Sequence, residues 1–190
     1  MSNKVILWMQ QSVDGFICGP QGEFDWPVFE AEMTRYADEQ TGTLGMFLYG
    51  RKVYEGMASY WPTADRQPGA HPHDLAFARV WREKPKAVFS STLEHAGWNT
   101  TIVSTDLPKA VAELKERSEG DLGLFGGAEI TAEFIRLGLI DEYRIFVHPV
   151  VLGGGIPLFA PGLERTPLRL VEARTLDSAV VLHRYASAAS

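Results

Sequence analysis

The amino-acid sequence predicts an α/β protein with three layers, in which a mostly parallel, mixed sheet lies between two layers of helices. Two observations predict this fold class. Short apolar segments alternate along the chain with segments whose apolar residues recur at helical spacing. In the last third the alternation stops, and two strand-like segments follow each other across a turn, which indicates a C-terminal antiparallel hairpin at one edge of the sheet.

The predicted strands in the first two thirds of the chain are short and apolar. A strand that is buried on both faces needs a continuous apolar run, and Val5–Met9 is such a run. Four further runs have the same character. They are Met46–Tyr49, Ala87–Ser90, Thr100–Val103 and Leu122–Phe125.

Amphipathic segments between these strands predict three helices. Asp106 is the expected N-cap of the second helix, and Gly138 is placed to end the third. Pro62–Pro72 is rich in turn residues and is predicted to be a surface loop. The apolar positions are Val53, Met57, Tyr60 and Trp61 in the first helix, Leu107, Val111 and Leu114 in the second, and Ile130, Phe134 and Leu137 in the third.

The C-terminal third contains three strand-like segments, and the last residues of the chain carry no such pattern. Asp177–Ser178 is a turn dipeptide between the last two segments, and Ala186–Ser190 is expected to be frayed. The three segments are Tyr143–Leu152, Leu168–Thr175 and Ala179–Tyr185.

Composition limits the classes of function. The chain has 190 residues, which predicts one domain over residues 1–190, and its net charge of −6 argues against a general nucleic-acid binder. One cysteine excludes an intramolecular disulfide, and the first apolar run is too short for a signal sequence or a membrane span. We therefore expect a cytoplasmic protein that acts on a small molecule and binds neither nucleic acid nor a membrane.

Glycines and small polar residues stand where predicted strands lead into helices. Such junctions are where backbone N–H groups and the helix dipole can hold a phosphate. The three junctions are Gly50–Lys52, Ser90–Thr92 and Gly126–Glu129. Each also has a plain structural explanation: a solvated basic first turn, an ordinary polar loop and a tight turn. The sequence lacks the usual Rossmann, P-loop and nucleophile-elbow motifs.

Taken in order, the motifs of this sequence resemble those of the dihydrofolate-reductase-like superfamily. The resemblance is to the reductase domain of the bifunctional riboflavin-biosynthesis deaminase-reductase and its stand-alone relatives, and it covers nearly the whole chain. Each motif is loose, but five occur in the family's order. They are Ser12–Ile17, Gly50–Glu55, Val88–Leu93, Gly126–Glu129, and Phe134–Tyr143 leading into His148–Gly153.

This resemblance implies an NADPH-dependent reductase with the cofactor across the carboxyl edge of the sheet. It implies that Gly50, Arg51 and Lys52 meet the cofactor phosphates, and that Arg51, Ser90 and Ser91 hold the adenosine 2′-phosphate. Gly126 and Gly127, often joined by a cis peptide in this fold, would let the pyrophosphate reach the next helix. The residues that would surround it there are Ala128, Glu129, Ile130 and Thr131, and the backbones of Gln10 and Ile17 would flank the nicotinamide.

On the substrate side the resemblance implies a carboxylate on the helix after the first loop, since folate enzymes orient the pterin with one. The matching stretch is Glu23–Glu32. Asp25 is our predicted polar anchor, with an N-cap or turn role as the structural alternative. Trp26 and Phe29 are predicted ring-stacking walls, and Phe125 is expected to lie beside the substrate.

The sequence also departs from the riboflavin enzyme. It lacks the zinc deaminase signature, and Ser59–Pro62 replaces an Asp-Asp-Pro-type segment near the sugar phosphate. We therefore predict a reductase of a pterin, a pyrimidine or a related heterocycle, in a homodimer as the resemblance implies. The alternative is a ligand-binding module that keeps the fold without turnover. No metal site is predicted, since His71 and His73 lack a third ligand, and His148 is interpreted as a hydrogen-bonded structural histidine.

Overall fold

The structure, a computed structural model, describes residues 2–177 and 179–188. Its strands are β1 (Val5–Ser12), β2 (Phe16–Cys18), β3 (Met46–Gly50), β4 (Lys86–Phe89), β5 (Thr100–Val103), β6 (Leu122–Leu124), β7 (Glu142–His148), β8 (Ile156–Pro157), β9 (Leu168–Thr175) and β10 (Val181–Ser187). Its α-helices are α1 (Ala31–Thr43), α2 (Arg51–Tyr60), α3 (Pro72–Glu83), α4 (Leu107–Arg117) and α5 (Ala128–Arg136), and a 3-10 helix covers Trp61–Arg66.

Eight strands form one sheet in the order β5-β4-β3-β6-β1-β7-β10-β9. The six strands from β5 to β7 in that order are parallel, so their carboxyl ends share one edge. The strands β9 and β10 form an antiparallel hairpin at the other side, and β2 pairs with β8 in a small second sheet. The predicted mixed sheet with a C-terminal hairpin is confirmed.

Strand β1 shows why helices cover both faces of the sheet. Its side chains alternate, with Val5, Leu7 and Met9 packing into one core cluster. Ile6 and Trp8 face the opposite side and join two other clusters. The first face is covered by α4 and α5, and the second by α1, α2 and α3. The sheet is therefore buried between two helical layers, as predicted.

Several boundaries differ from the predicted ones. Pro62–Pro72 is not simply a loop, because a 3-10 helix occupies its first part and α3 begins at Pro72. Strand β7 ends at His148, before Pro149, rather than continuing to Leu152. Ala186 is paired in β10 rather than frayed.

The predicted helix ends are confirmed, and the predicted hairpin turn lies only partly within the described residues. Asp106 caps α4 by accepting a hydrogen bond from the backbone N–H of Lys109. Gly138, with φ +63°, follows the end of α5. Of the predicted turn and tail, Ser178 and residues 189–190 lie outside the described residues.

Lys86 is an unusual core residue, since its side chain is 1% exposed at the start of β4. Its ammonium donates to the carbonyl of Lys84 and lies 4.5 Å from the ring centre of Trp81. No ion pair among the described residues includes it. Burial lowers the pKa of Lys86 to about 8.

We expect Lys86→Met to raise the free energy of unfolding at pH 7 by about 1–3 kcal/mol, because it removes a buried charge while keeping an unbranched side chain. In the protein without the substitution, the unfolded state keeps the ammonium proton of Lys86 between about pH 8 and 10.5, whereas the folded state has released it. Stability therefore rises with pH in that window, and the variant lacks this rise. Urea unfolding at pH 7 and 10 measures both effects, with the exposed Lys109→Met as the control; equal pH dependence in native protein and Lys86→Met would contradict the prediction.

Candidate functional site

The strands β3 and β6 are neighbours in the sheet, yet the helices that follow them pack on opposite faces. Helix α2 covers the face that contains Tyr49, whereas α5 covers the face that contains Leu124. Such a switch point opens a crevice outside the carboxyl ends of parallel strands, where ligands of open α/β sheets bind. We therefore place the candidate site at this crevice.

Two glycines let the backbones approach closely at the switch point. The N–H of Gly50 donates to the carbonyl of Gly126 over 2.7 Å. A Cβ on Gly50 would lie 3.0 Å from Cγ2 of Ile130, and a Cβ on Gly126 would lie 3.0 Å from Sδ of Met9. Gly126 has φ +87°, and the peptide bond between it and Gly127 is cis. Glycine is thus favoured at Gly126 by its backbone conformation, and a side chain at either position would require Ile130 or Met9 to shift.

The first turn of α5 faces this crevice with uncapped backbone N–H groups. Its N-cap is Gly127, which has no side chain to accept from Ala128, Glu129 or Ile130. Thr131 is fully buried, and its hydroxyl finds no partner among the described residues. That hydroxyl lies 3.9 Å from where a Cβ of Gly126 would stand. The turn therefore offers backbone donors, a helix dipole and an unpaired hydroxyl to an anion.

Positive charge lies beside this turn, at the start of α2. Arg51 and Lys52 are exposed in the first turn, which has no acidic residue and no side-chain cap. Arg51 pairs with Glu55 over 3.3 Å, but both side chains are more than two-fifths exposed, so the pair contributes little stability. The guanidinium can therefore exchange this partner for an anionic ligand at small cost.

The other residues predicted to bind a phosphate follow β4, the neighbour of β3. The hydroxyl of Ser90 accepts from the backbone N–H groups of Thr92 and Leu93, which makes it the cap of a polar turn. Ser91 is exposed next to it. Because β4 and β3 are parallel and Gly50 pairs with Phe89, this turn lies next to Arg51 along the carboxyl edge.

On the other side of the switch point, Gln10 and His148 join the ends of β1 and β7. His148 is fully buried, and its Nδ1 accepts from the backbone N–H of Val28 over 3.0 Å. The proton of the neutral ring is therefore on Nε2, which donates to Oε1 of Gln10 over 2.6 Å. Burial lowers the pKa of His148 to about 4, so the ring is neutral at pH 7.

A chain segment rich in aromatic residues, Phe24–Phe29, lies against this histidine. The ring of Trp26 contacts that of His148 edge-on, with centres 5.5 Å apart, and Phe29 follows at 6.2 Å. Phe24 in turn contacts Trp26 and is half-exposed. The predicted ring walls Trp26 and Phe29 are thus brought together at the carboxyl edge.

Other predicted substrate and cofactor residues lie elsewhere. The stretch matched to the helix after the first loop is extended up to Glu30, since α1 begins at Ala31. Asp25 is exposed on this extended stretch, away from any helix. Phe125 packs in the aromatic core, 5.1 Å from Phe47 between ring centres.

The side chain of Ile17, in β2, is buried in the core on the α4 and α5 face. A cavity of about 560 Å³ opens beside the segment Phe24–Phe29, between α1 and the start of α3, with Phe29 and His73 in its wall.

Sequence reasoning treated His148 as structural and assigned Gln10 only a backbone role. The structure places both side chains at the candidate site, and their positions in the predicted strands already indicated that they lie close together. Gln10 directly follows the predicted strand Val5–Met9, and His148 lies within the predicted strand Tyr143–Leu152. Because the two strands are parallel neighbours, their carboxyl ends lie at one edge. Thr131 was expected in the right turn, but its unpaired hydroxyl depends on packing that the sequence does not show.

Among the described residues no group of three or more His, Cys, Asp or Glu side chains is arranged to hold a metal ion. His73 instead bonds Asp38 over 2.8 Å. Within residues 2–177 and 179–188, no helix has the length and apolar character that crossing a bilayer requires.

Known proteins resemble this chain in sequence. Residues 3–182 match the family model described as the RibD C-terminal domain. The uncharacterized protein YyaP of Bacillus subtilis (strain 168) is 34% identical over 180 residues, which cover 94% of this chain and 92% of that protein.

Solved structures share the fold at lower identity. A putative riboflavin biosynthesis protein from Shewanella sp. PV-4 superposes with a TM-score of 0.74 at 21% identity, covering 98% of this chain and 99% of that one. A deaminase and 5-amino-6-(5-phosphoribosylamino)uracil reductase from Thermotoga maritima gives 0.68 at 18% identity, with 98% of this chain covering 57% of that one. A dihydrofolate reductase from Enterococcus faecalis complexed with NADP(H) gives a TM-score of 0.65 at 14% identity, covering 99% of this chain and 99% of that one. These likenesses confirm the dihydrofolate-reductase-like fold.

The buried, neutral His148 predicts a loss of stability in acid. Between about pH 6.5 and 4 the unfolded state binds the imidazole proton and the folded state does not, so the free energy of unfolding falls as pH falls through this window. We expect this part of the loss to be on the order of 2–3 kcal/mol and to be absent in His148→Asn. Urea unfolding at pH 7 and 4.5 measures it, with the exposed His95→Asn as control; an unchanged acid loss in His148→Asn would sink the prediction.

Proposed function

This chain belongs to the RibD C-terminal domain family, and we propose on that premise that it is an NADPH-dependent reductase of a pterin, a pyrimidine or a related heterocycle. The single observation that carries the proposal is the first turn of α5. It combines uncapped N–H groups, a close approach at Gly126 and the unpaired, buried hydroxyl of Thr131. A turn of this kind suits the pyrophosphate of a dinucleotide.

The order of residues along the carboxyl edge supports this proposal. Ser90, Ser91 and Arg51 lie at the ends of β4 and β3 and would hold the 2′-phosphate, with Lys52 adding charge. The first turn of α5 would hold the pyrophosphate. Gln10 lies near the carboxyl end of β1, on the far side of β6, and its backbone would flank the nicotinamide, as would that of Ile17 in β2.

NADPH, when bound, supplies a hydride from its nicotinamide ring. The chain's own residues then have to place an electrophilic ring carbon against that position and keep water away. Trp26 and Phe29 are the proposed walls for the substrate ring, held in place by His148. Phe125, which packs against Phe47, is our further proposed substrate contact, and Asp25 is our proposed polar anchor.

One observation favours a second candidate function, a ligand-binding module without turnover. None of the contacts that join Gln10, His148 and the ring of Trp26 within the described part of the chain involves a carboxylate. A reductase needs a proton source as well as a hydride. The candidates separate when purified protein is mixed with NADPH and a panel of pterins, dihydropterins and pyrimidines. Steady loss of NADPH absorbance supports the reductase; cofactor binding without any turnover favours the module.

The cofactor assignment predicts a selective loss in Arg51→Ala. A guanidinium that pairs with the 2′-phosphate acts on NADPH and not on NADH, so we expect Kd for NADPH to rise at least about tenfold and Kd for NADH to change less than about twofold. Titration of tryptophan fluorescence measures both constants, and Arg117→Ala, at the exposed end of α4, removes the same charge elsewhere. Equal effects on both cofactors would remove Arg51 from the 2′-phosphate, and no binding of either cofactor would overturn the proposed function.

A further inference from the structure

His73 and Asp38 form an acid–base pair to which the proposed function gives no role. Nδ1 of His73 lies 2.8 Å from Oδ1 of Asp38, a contact that joins the start of α3 to α1. The imidazole is stacked on the ring of Phe77, with centres 5.5 Å apart, and meets the ring of Trp61 edge-on at 5.7 Å. Three neighbours therefore fix the ring, while its Nε2 has no hydrogen-bond partner in the part of the chain that the structure describes.

This pair lines the same cavity as one of the proposed substrate walls. Phe29, Asp38 and His73 all belong to the wall of the cavity of about 560 Å³, a volume typical of small-molecule sites. The side chains of His73 and Asp38 are 26% and 36% exposed, so both remain accessible to a ligand in the cavity. Phe29 also contacts His148, with ring centres 6.2 Å apart. A ring stacked on Phe29 from the cavity side would therefore share one space with the acid–base pair.

An imidazole held by a carboxylate is suited to proton transfer. Because a carboxylate can only accept, Asp38 fixes the ring proton on Nδ1 and leaves Nε2 to exchange protons with a ligand. Reduction of a C=N bond needs a proton as well as a hydride, and the contacts that join Gln10, His148 and Trp26 supply no acid. We propose that the substrate ring occupies this cavity and that His73 donates the proton, with Asp38 as its positioning residue.

This role rests on the proposed function for the hydride. The hydride, which the cofactor supplies as it is oxidised to NADP⁺, adds to the carbon of the C=N bond. The π electrons of that bond move to the nitrogen, which takes the proton from Nε2 of His73. The C=N group thereby becomes CH–NH, and the imidazolium becomes a neutral imidazole. Water returns a proton through the exposed part of the ring.

The other titratable groups around the cavity are less suited to this role. Three exposed charged side chains in its wall have no hydrogen bond or ion pair to another described residue, so nothing orients them. They are Glu30, Arg35 and Glu39. His71 is the N-cap of α3, and its Nδ1 accepts from the backbone N–H of His73. Asp74 in turn accepts from the backbone N–H of His71. His73 with Asp38 is therefore the preorganised acid of this cavity.

The first experiment follows binding at His73 without the cofactor. The chain has five histidines, so histidine-labelled protein gives few imidazole resonances, and His73→Gln assigns the one from His73. We expect the compound of the heterocycle panel that binds most tightly to shift this resonance and to leave that of the exposed His95 in place. Long-range nitrogen–proton couplings should place the proton of the neutral ring on Nδ1. Asp38→Asn should weaken that preference, because its amide N–H₂ can donate to Nδ1.

The second experiment uses the panel compound that is reduced fastest with NADPH. His73→Gln should lower kcat about a hundredfold at pH 6 and change KM less than about threefold. Histidine loses its charge between about pH 5 and 8, so the rate should fall as pH rises through this range, and His73→Gln should lack that fall. His71→Asn removes the other imidazole of the cavity, keeps an N-cap acceptor and should keep the fall. The exposed His95→Asn is the matched control.

The outcomes separate this inference from the proposed function. Reduction with an unchanged rate and pH dependence in His73→Gln, or binding of a compound without a shift at His73, overturns the inference and leaves the reductase standing. Binding of NADPH and of a panel compound without turnover overturns the proton transfer. Protein that binds no dinucleotide overturns the proposed function, and a shift at His73 would then leave the cavity as a ligand site. No binding of any panel compound refutes the substrate pocket.

Discussion

The hydrogen bond from the N–H of Gly50 to the carbonyl of Gly126 is the constraint on which the site depends. It joins the ends of β3 and β6, and the helices that follow these two strands pack on opposite faces of the sheet. The approach leaves little room for a side chain, since a Cβ on Gly50 would lie 3.0 Å from Cγ2 of Ile130 and would require that side chain to shift. Two helix N-termini, those of α2 and α5, therefore converge on one crevice, and a phosphate there can meet both dipoles.

The opposite end of the crevice is organised by a neutral histidine. His148 uses one ring nitrogen to hold the backbone of Val28 and the other to hold Gln10, so one buried side chain joins β7, β1 and the segment Phe24–Phe29. A charged ring could not accept from Val28, which is why burial and the low pKa of His148 matter to the architecture. Strand order places the two ends of the crevice on either side of β6.

Much of this fold could be predicted because its signals are local. Apolar runs and helical spacing predicted the strands of the parallel sheet, and Asp106 and Gly138 predicted two helix ends. The segment Pro62–Pro72 was misjudged, since proline is tolerated in the first turn of a helix, as at Pro72, and so does not exclude one. The contacts of Gln10 with His148 depend on strand register and burial, which residue types alone do not specify.

The electrostatics of the crevice follow from a chain that is acidic as a whole. With a net charge of −6, long-range attraction does not bring an anionic dinucleotide to this protein, so its binding has to rest on short-range donors. In the proposed complex, backbone N–H groups and the hydroxyl of Thr131 would serve the pyrophosphate without formal charge, and Arg51 and Lys52 would add cations beside them. A higher salt concentration should therefore weaken binding of the 2′-phosphate more than binding of the pyrophosphate, because exposed charges are screened and buried donors are not. On the proposed assignment, discrimination between NADPH and NADH would come from the most exposed part of the site, and the affinity common to both would come from its most buried part.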